Sequence, residues 1–248
     1  MTTTTMPDAS TADISPVDGR TRLGTILVTG GASGLGAATV DAVRTAGGSP
    51  LVLDLAAPAG GVPYERVDLS DAVAAERAVS SIVAANGGRL DGVFTAAGID
   101  SCGPLDQVPM ADWERVIKVN LLGTAAVIRA ALPYLKRTQG RVVTCASTLG
   151  IKAVGDATAY CASKFGVVGF TRALAAETAG EVGVTLLIPG GMHTPFFDGR
   201  TEQYKPPPDA KLNQPADVAA AVVFALSQPP GCEVRELVVC ASTEASWP

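Results

Sequence analysis

At 248 residues, with 47% apolar and 17% charged side chains, the chain can build one large α/β domain and is too apolar for a disordered segment. Nineteen Lys and Arg against twenty-four Asp and Glu leave a net charge of −5, which argues against a nucleic-acid partner. A single histidine, His193, excludes a multi-histidine metal site. The most apolar windows, Leu121–Leu132 and Val218–Leu226, are too short or too charged to span a membrane.

Residues 1–22 are Thr-rich, carry Asp8, Asp13 and Asp18, and lack the apolar stretch of a signal peptide. They read as a flexible tail, and the protein as cytoplasmic. The five cysteines (Cys102, Cys145, Cys161, Cys232 and Cys240) are odd in number, never spaced C-x-x-C, and three fall in segments that read as buried. Free core thiols in a reducing compartment account for them.

Strand and helix patterns alternate along the remaining chain, 23–248. Short apolar, β-branched runs lie at Thr25–Thr29, Pro50–Leu53, Leu90–Thr95, Arg141–Cys145, Val184–Ile188 and Val234–Val239, with a further short strand at Tyr64–Val67. Runs of this kind suit parallel strands covered on both faces. Ala-rich helical stretches lie between them at Leu35–Ala46, Asp71–Ala85, Met110–Lys136, Ala157–Ala179 and Pro215–Ser227. Pro215 and Asp217 make a good helix start. The alternation predicts a Rossmann-type, doubly wound parallel sheet in a single α/β domain. The segment 191–214 breaks it, holding Pro195, Pro206, Pro207, Pro208, Phe196, Phe197 and Tyr204 without periodicity. It follows a strand's carboxyl end, where open α/β sheets bind ligands, and reads as a substrate lid.

The first strand runs into Thr29-Gly30-Gly31-Ala32-Ser33-Gly34-Leu35-Gly36, and a helix follows. A glycine turn alone also suits a plain β–α loop. With strand and helix on either side it makes a pyrophosphate site, because the backbone can approach closely and the helix start offers free N–H groups. No lysine follows the glycines, which disfavours a P-loop. Asp54 ends the second strand, with Leu55 beside it, eighteen residues past Gly36. A carboxylate there accepts ribose hydroxyl protons and repels a 2′-phosphate. Ser33 precedes Gly34 where a base could pair that phosphate, so NAD is favoured over NADP. The alternative for Asp54 is a solvated strand-end acid.

Tyr160 and Lys164 stand at i and i+4 on one helical face. A phenol with a reference pKa of about 10 is a poor base near neutrality, and a neighbouring cation lowers that pKa. Taken alone, Tyr-x-x-x-Lys is common on helix surfaces. Ser147, thirteen residues earlier, could hydrogen-bond the same substrate oxygen.

Together these features resemble the short-chain dehydrogenase/reductase family, in its short single-domain branch. The resemblance runs from about Leu23 to Val239. It rests on the turn Thr29 to Gly36, Val119-Asn120, Ser147, the Y-x-A-S-K of Tyr160 to Lys164, and Pro189-Gly190 with Thr194. It implies a Tyr160 acid/base, a Lys164 that lowers the tyrosine pKa and binds the nicotinamide ribose, and a Ser147 that steadies the substrate oxygen. Asn120 would hold a water linking Lys164 to solvent, or serve as a helix-kink residue.

By the same resemblance Asp68 and Leu69 contact adenine, and Gly30, Ser33, Gly34, Leu35 and Gly36 the pyrophosphate. Ala96 and Gly98 contact the adenosine ribose side, and Pro189, Gly190, Met192 and Thr194 the nicotinamide end. Where the family has N-N-A-G, this chain reads Thr95-Ala96-Ala97-Gly98, and Thr95 replaces only part of the strand-tying hydrogen bonds of the first asparagine.

The implied function is hydride transfer between NAD and a secondary alcohol or ketone. The rival is a non-catalytic NAD-sensing or regulatory protein on the same fold, disfavoured because Asn120, Ser147, Tyr160 and Lys164 are all present. An epimerase or dehydratase would need a larger C-terminal substrate domain. The pocket is expected near Ile99 to Leu105, Leu149 to Ala157 and the lid, with residues 240–248 adding little. His193 is either a substrate contact or lid structure. Partners would be a small-molecule alcohol or ketone and further copies of the chain, as a homodimer or homotetramer paired through the two longest helices, with no nucleic acid or membrane.

Overall fold

The structure, a computed structural model, describes residues 23–247; the expected tail at 1–22 and Pro248 lie outside the described residues. In chain order the elements are β1 (Thr25–Thr29), α1 (Gly34–Thr45), β2 (Ser49–Asp54), β3 (Tyr64–Arg66), α2 (Ala72–Ala85), β4 (Gly92–Thr95) and α3 (Met110–Ile117). Then follow α4 (Thr124–Thr138), β5 (Arg141–Cys145), α5 (Thr158–Glu177), β6 (Gly183–Pro189), α6 (Pro215–Leu226) and β7 (Glu236–Val239). The strands form one parallel sheet in the order β3-β2-β1-β4-β5-β6-β7. This is the expected doubly wound fold, and the strand order reverses between β1 and β4.

Successive residues of β1 explain the continuous apolar runs. Ile26 and Val28 pack with Val40 and Val43 of α1 and Val218 and Val222 of α6. Leu27, pointing the other way, packs with Val79 and Val83 of α2 and Val127 and Ala131 of α4. Both faces are therefore covered, and each large side chain fully buried contributes about 1.5–3 kcal/mol. Helix starts follow local chemistry: Asp71 caps α2 by accepting from Ala74 N at 2.9 Å, and Pro215 opens α6.

The expected helix Met110–Lys136 is not one regular helix. It opens into a π-helical turn at Lys118–Gly123 between α3 and α4. Asn120 lies in that turn and exchanges two hydrogen bonds with Ile99, accepting from its N–H at 2.8 Å and donating to its carbonyl at 2.9 Å. A Cβ at Gly123 would lie 2.7 Å from the Leu69 carbonyl oxygen, so only glycine lets the turn sit against that segment. The whole run Met110–Thr138 is long and apolar enough, by length and composition, to cross a membrane, contrary to the sequence reading. Ala126, Val127, Ile128, Ala131 and Leu135 nevertheless spend its apolar face on the core.

Two other expectations change. Cys145 and Cys161 are buried, Cys102 and Cys240 half-buried and Cys232 exposed, so two cysteines rather than three are core thiols; all five are free. Thr95 Oγ1 is buried without a hydrogen-bond partner, so the threonine supplies none of the side-chain bonding expected at that position.

Segment 191–214 leaves the carboxyl end of β6. It is closed at its base by the Met192–Asn213 bridge and contains two short 3₁₀ turns, Pro195–Phe197 and Glu202–Tyr204.

Candidate active site

The carboxyl ends of the strands surround a cavity of about 540 Å³. At one end β1 turns into α1. Gly30 has φ +70°, and a Cβ there would lie 2.9 Å from Ala97 Cα. A Cβ at Gly36 would collide with the Gly30 carbonyl. Ser33 precedes α1 without a side-chain capping bond, and Ser33, Gly34, Leu35 and Gly36 all line the cavity. The amide-rich start of α1 is thus open to a ligand, in a space kept clear by missing side chains.

Asp54 is held beside this turn. Its Oδ2 accepts from Ala32 N at 2.9 Å and its Oδ1 from Ala56 N at 3.0 Å. Farther along, Asp68 and Leu69 line the wall with Leu55. The Asp68 carboxylate accepts from Ser70 N at 2.9 Å and from Arg115 Nη2 at 3.0 Å. The Ser70 amide, more than Arg115, holds its carboxyl below the usual range. Arg115 is a wall residue that sequence reasoning missed; its only signal would have been a charge on the exposed side of α3.

At the other end β5 and α5 bring the predicted reactive set together. Lys164 is buried and donates from Nζ to the Cys145 carbonyl at 2.8 Å, with Nζ 5.6 Å from the centre of the Tyr160 ring. Ser147 lies just past β5, its hydroxyl accepting from Leu149 N at 3.1 Å, and it lines the same cavity as Tyr160. Burial pushes the Tyr160 phenol above its ordinary range, and the nearby Ser147 hydroxyl opposes it. Burial pulls the Lys164 ammonium below its ordinary range.

Asn120 stands behind the cavity wall rather than on it. Besides Ile99, its amide donates to Ser163 Oγ at 3.0 Å, and a Cβ at Gly98 would be 3.5 Å from both Asn120 Oδ1 and Lys164 Nζ. Its side chain ties the segment after β4 to α5, next to the lysine.

Segment 191–214 covers this end. The Phe196 ring centre lies 5.6 Å from that of Tyr160 with the planes tilted by 54°, and the Arg200 guanidinium lies 5.0 and 4.7 Å from the rings of Phe196 and Phe197. Thr194 meets the glycine turn, 3.3 Å from where a Gly34 Cβ would sit. His193 is exposed and off the cavity wall, and its backbone N–H bonds the Asn213 carbonyl, so it belongs to the segment's framework.

Of the predicted cofactor contacts, Gly30, Ser33, Gly34, Leu35, Gly36, Asp54, Leu55, Asp68, Leu69, Ala96, Gly98, Tyr160, Lys164, Pro189, Gly190, Met192 and Thr194 all line the one cavity. The expected poverty of the C-terminal segment is wrong. Glu244 and Ser246 are on the wall, Glu244 Oε2 accepting from Gly191 N at 2.9 Å. The signal available in the sequence was Gly190-Gly191, two glycines where a Cβ at Gly190 would collide with the Glu244 carboxylate.

The glycine cradle and the strand-end carboxylate fit a dinucleotide. The family model "short chain dehydrogenase" matches residues 24–205. The chain is 31% identical over 243 residues to L-fucose dehydrogenase of Mus musculus, covering 90% of this chain and 89% of that one. It is 34% identical over 221 residues to D-threitol dehydrogenase of Mycolicibacterium smegmatis, covering 81% and 85%. Among solved structures it superposes on levodione reductase with a TM-score of 0.79 at 28% identity, covering 91% and 98%. Sequence, fold and site geometry agree that the chain belongs to the short-chain dehydrogenase/reductase family.

Proposed function

We propose that the protein is an NAD-dependent oxidoreductase that interconverts a secondary alcohol and its ketone, with Tyr160 as proton acceptor and donor. The observation that carries this reading is one cavity with the glycine cradle and Asp54 at one end and Ser147, Tyr160 and Lys164 at the other. Gly30, Gly34, Gly36 and the start of α1 would hold the pyrophosphate of NAD, Asp54 the adenosine ribose hydroxyls, and Lys164 the nicotinamide ribose. When bound, NAD supplies a hydride acceptor whose oxidised ring carries positive charge.

The protein's own residues handle the proton. Ser147 orients the substrate oxygen towards Tyr160 Oη by a preorganised hydrogen bond. Tyr160 takes the hydroxyl proton during oxidation and returns it during reduction. Lys164 is aimed by the Cys145 carbonyl, and its positive charge favours the phenolate. Asn120 fixes the Gly98–Ile99 backbone against that lysine, and proton exchange with solvent through a water near it completes the set. Segment 191–214 acts as the lid that excludes bulk water, with Phe196 packed at a tilt against the Tyr160 ring.

Fucose and threitol, named in two relatives, are polyhydroxylated neutral molecules, and we extend that class to this substrate. The test is to supply NAD with a panel of secondary alcohols and polyols and follow reduced nicotinamide by absorbance. Turnover of at least one alcohol is expected. Failure with every alcohol, and with the matching ketones and reduced cofactor, would contradict the reading.

A further inference from the structure

The segment after β7 carries a hydrogen-bonding chain whose direction can be worked out. Glu244 Oε2 accepts from Gly191 N at 2.9 Å, and Oε1 accepts from Ser246 N at 3.2 Å and Ser246 Oγ at 2.6 Å. A carboxylate can only accept, so the single Ser246 hydroxyl proton is committed to Glu244. Ser246 Oγ also lies 2.6 Å from Thr148 Oγ1, so there Thr148 must be the donor. The order is Thr148 O–H to Ser246, then Ser246 O–H to Glu244.

Every side-chain proton of the trio is spent within it. The free capacity is acceptor capacity alone: a lone pair on Glu244 Oε2, one on Ser246 Oγ and those of Thr148. All three residues line the cavity, and Thr148 directly follows Ser147. The chain is anchored from outside as well, because Lys152 Nζ holds the Ala245 carbonyl at 3.0 Å.

We propose that Thr148, Ser246 and Glu244 form a hydroxyl-selective subsite that accepts the O–H of a second substrate hydroxyl beside the reacting carbon. The preferred substrate class is then a vicinal diol or polyol, and a carbonyl or carboxylate at that second position is disfavoured because it brings no proton. This assignment rests on the oxidoreductase reading above and adds the determinant of its specificity.

The test compares two matched pairs with NAD: cis-cyclohexane-1,2-diol against cyclohexanol, and butane-2,3-diol against butan-2-ol. Wild type is expected to favour the diol in kcat/KM in at least one pair. Glu244→Gln should lower that diol-to-alcohol ratio by about tenfold to a hundredfold, the range expected for a hydrogen bond to a charged group, and the milder Ser246→Ala by about twofold to tenfold, the range for a neutral one. A thermal unfolding midpoint within a few degrees of wild type would certify that each variant folds.

Equal or better use of the mono-alcohols by wild type in both pairs overturns the subsite, as does an unchanged ratio in the two variants. Absence of turnover of all four probes overturns it too. Only if NAD also fails to raise the unfolding midpoint does the oxidoreductase reading fall with it.

Discussion

Arg200 donates through Nη2 to Asp100 Oδ2 at 2.7 Å, joining segment 191–214 to the connection after β4 across the end of the cavity that holds Tyr160. The Asp100 side chain is 5% exposed and that of Arg200 18%, so the pair is shielded from solvent screening. Tyr204 makes a second tie, donating to Asp156 Oδ2 at 3.0 Å. Removing one member of a buried pair costs about 3–5 kcal/mol if the other charge stays buried. In Arg200→Ala the segment can lift away and release Asp100 to water, which caps that cost. The expected results are faster proteolytic cleavage within 195–208 and a raised KM. Unchanged cleavage and KM would mean that the pair does not hold the segment.

Tyr160→Phe removes the one atom proposed to exchange the proton and keeps the ring against Phe196. General acid–base groups contribute about 10²–10⁴-fold, so kcat should fall at least a hundredfold. Stabilisation by NAD should persist, since the glycine turn and Asp54 are untouched. Retained turnover in this variant would sink the assignment of Tyr160.

The pH dependence follows from burial, which raises the Tyr160 phenol, and from Ser147, which pulls it down. Alcohol oxidation needs the phenolate, so kcat/KM should climb as pH rises from neutral into the alkaline range, and ketone reduction should show the opposite slope. For stability, the phenol is neutral in folded and unfolded chains below about pH 10, and no penalty arises there. Above it the unfolded chain ionises while the folded site resists, so stability is lost as pH rises past the ordinary tyrosine value. Thermal unfolding of wild type against Tyr160→Phe between pH 8 and 11 should show the wild type losing more.

Thr95 offers a test in the opposite direction. Its hydroxyl is buried without a partner, and such a group costs about 1–3 kcal/mol. Thr95→Val keeps the shape and removes the unpaired oxygen, so the denaturant midpoint should hold or rise. A loss above about 1 kcal/mol would show that the hydroxyl is satisfied in solution.

What was legible in the sequence depended on how local its cause was. The runs Thr25–Thr29 and Arg141–Cys145 coincide with β1 and β5, because a strand covered on both faces leaves an uninterrupted apolar signature. Tyr160 and Lys164 share one end of the cavity because four residues on a helix make one turn. The π-helical turn at Lys118–Gly123 was not legible: it accompanies hydrogen bonds from Asn120 to Ile99, twenty-one residues away. Nor were the ties from Arg200 to Asp100, one hundred residues away, or from Glu244 to Gly191, fifty-three away. No periodicity encodes such partners, and they are set by where the sheet brings the loop ends together.

The central claim is a cavity built for NAD, and thermal unfolding in parallel with saturating NAD and NADP tests it most directly. A ligand at a hundred times its dissociation constant stabilises by about 2.7 kcal/mol, which for a chain of this size raises the midpoint by roughly 5–10 °C. The account predicts that shift with NAD and a smaller one with NADP, because Asp54 repels a 2′-phosphate. A shift with NADP alone would contradict the role given to Asp54, and no shift with either would contradict the cofactor site itself.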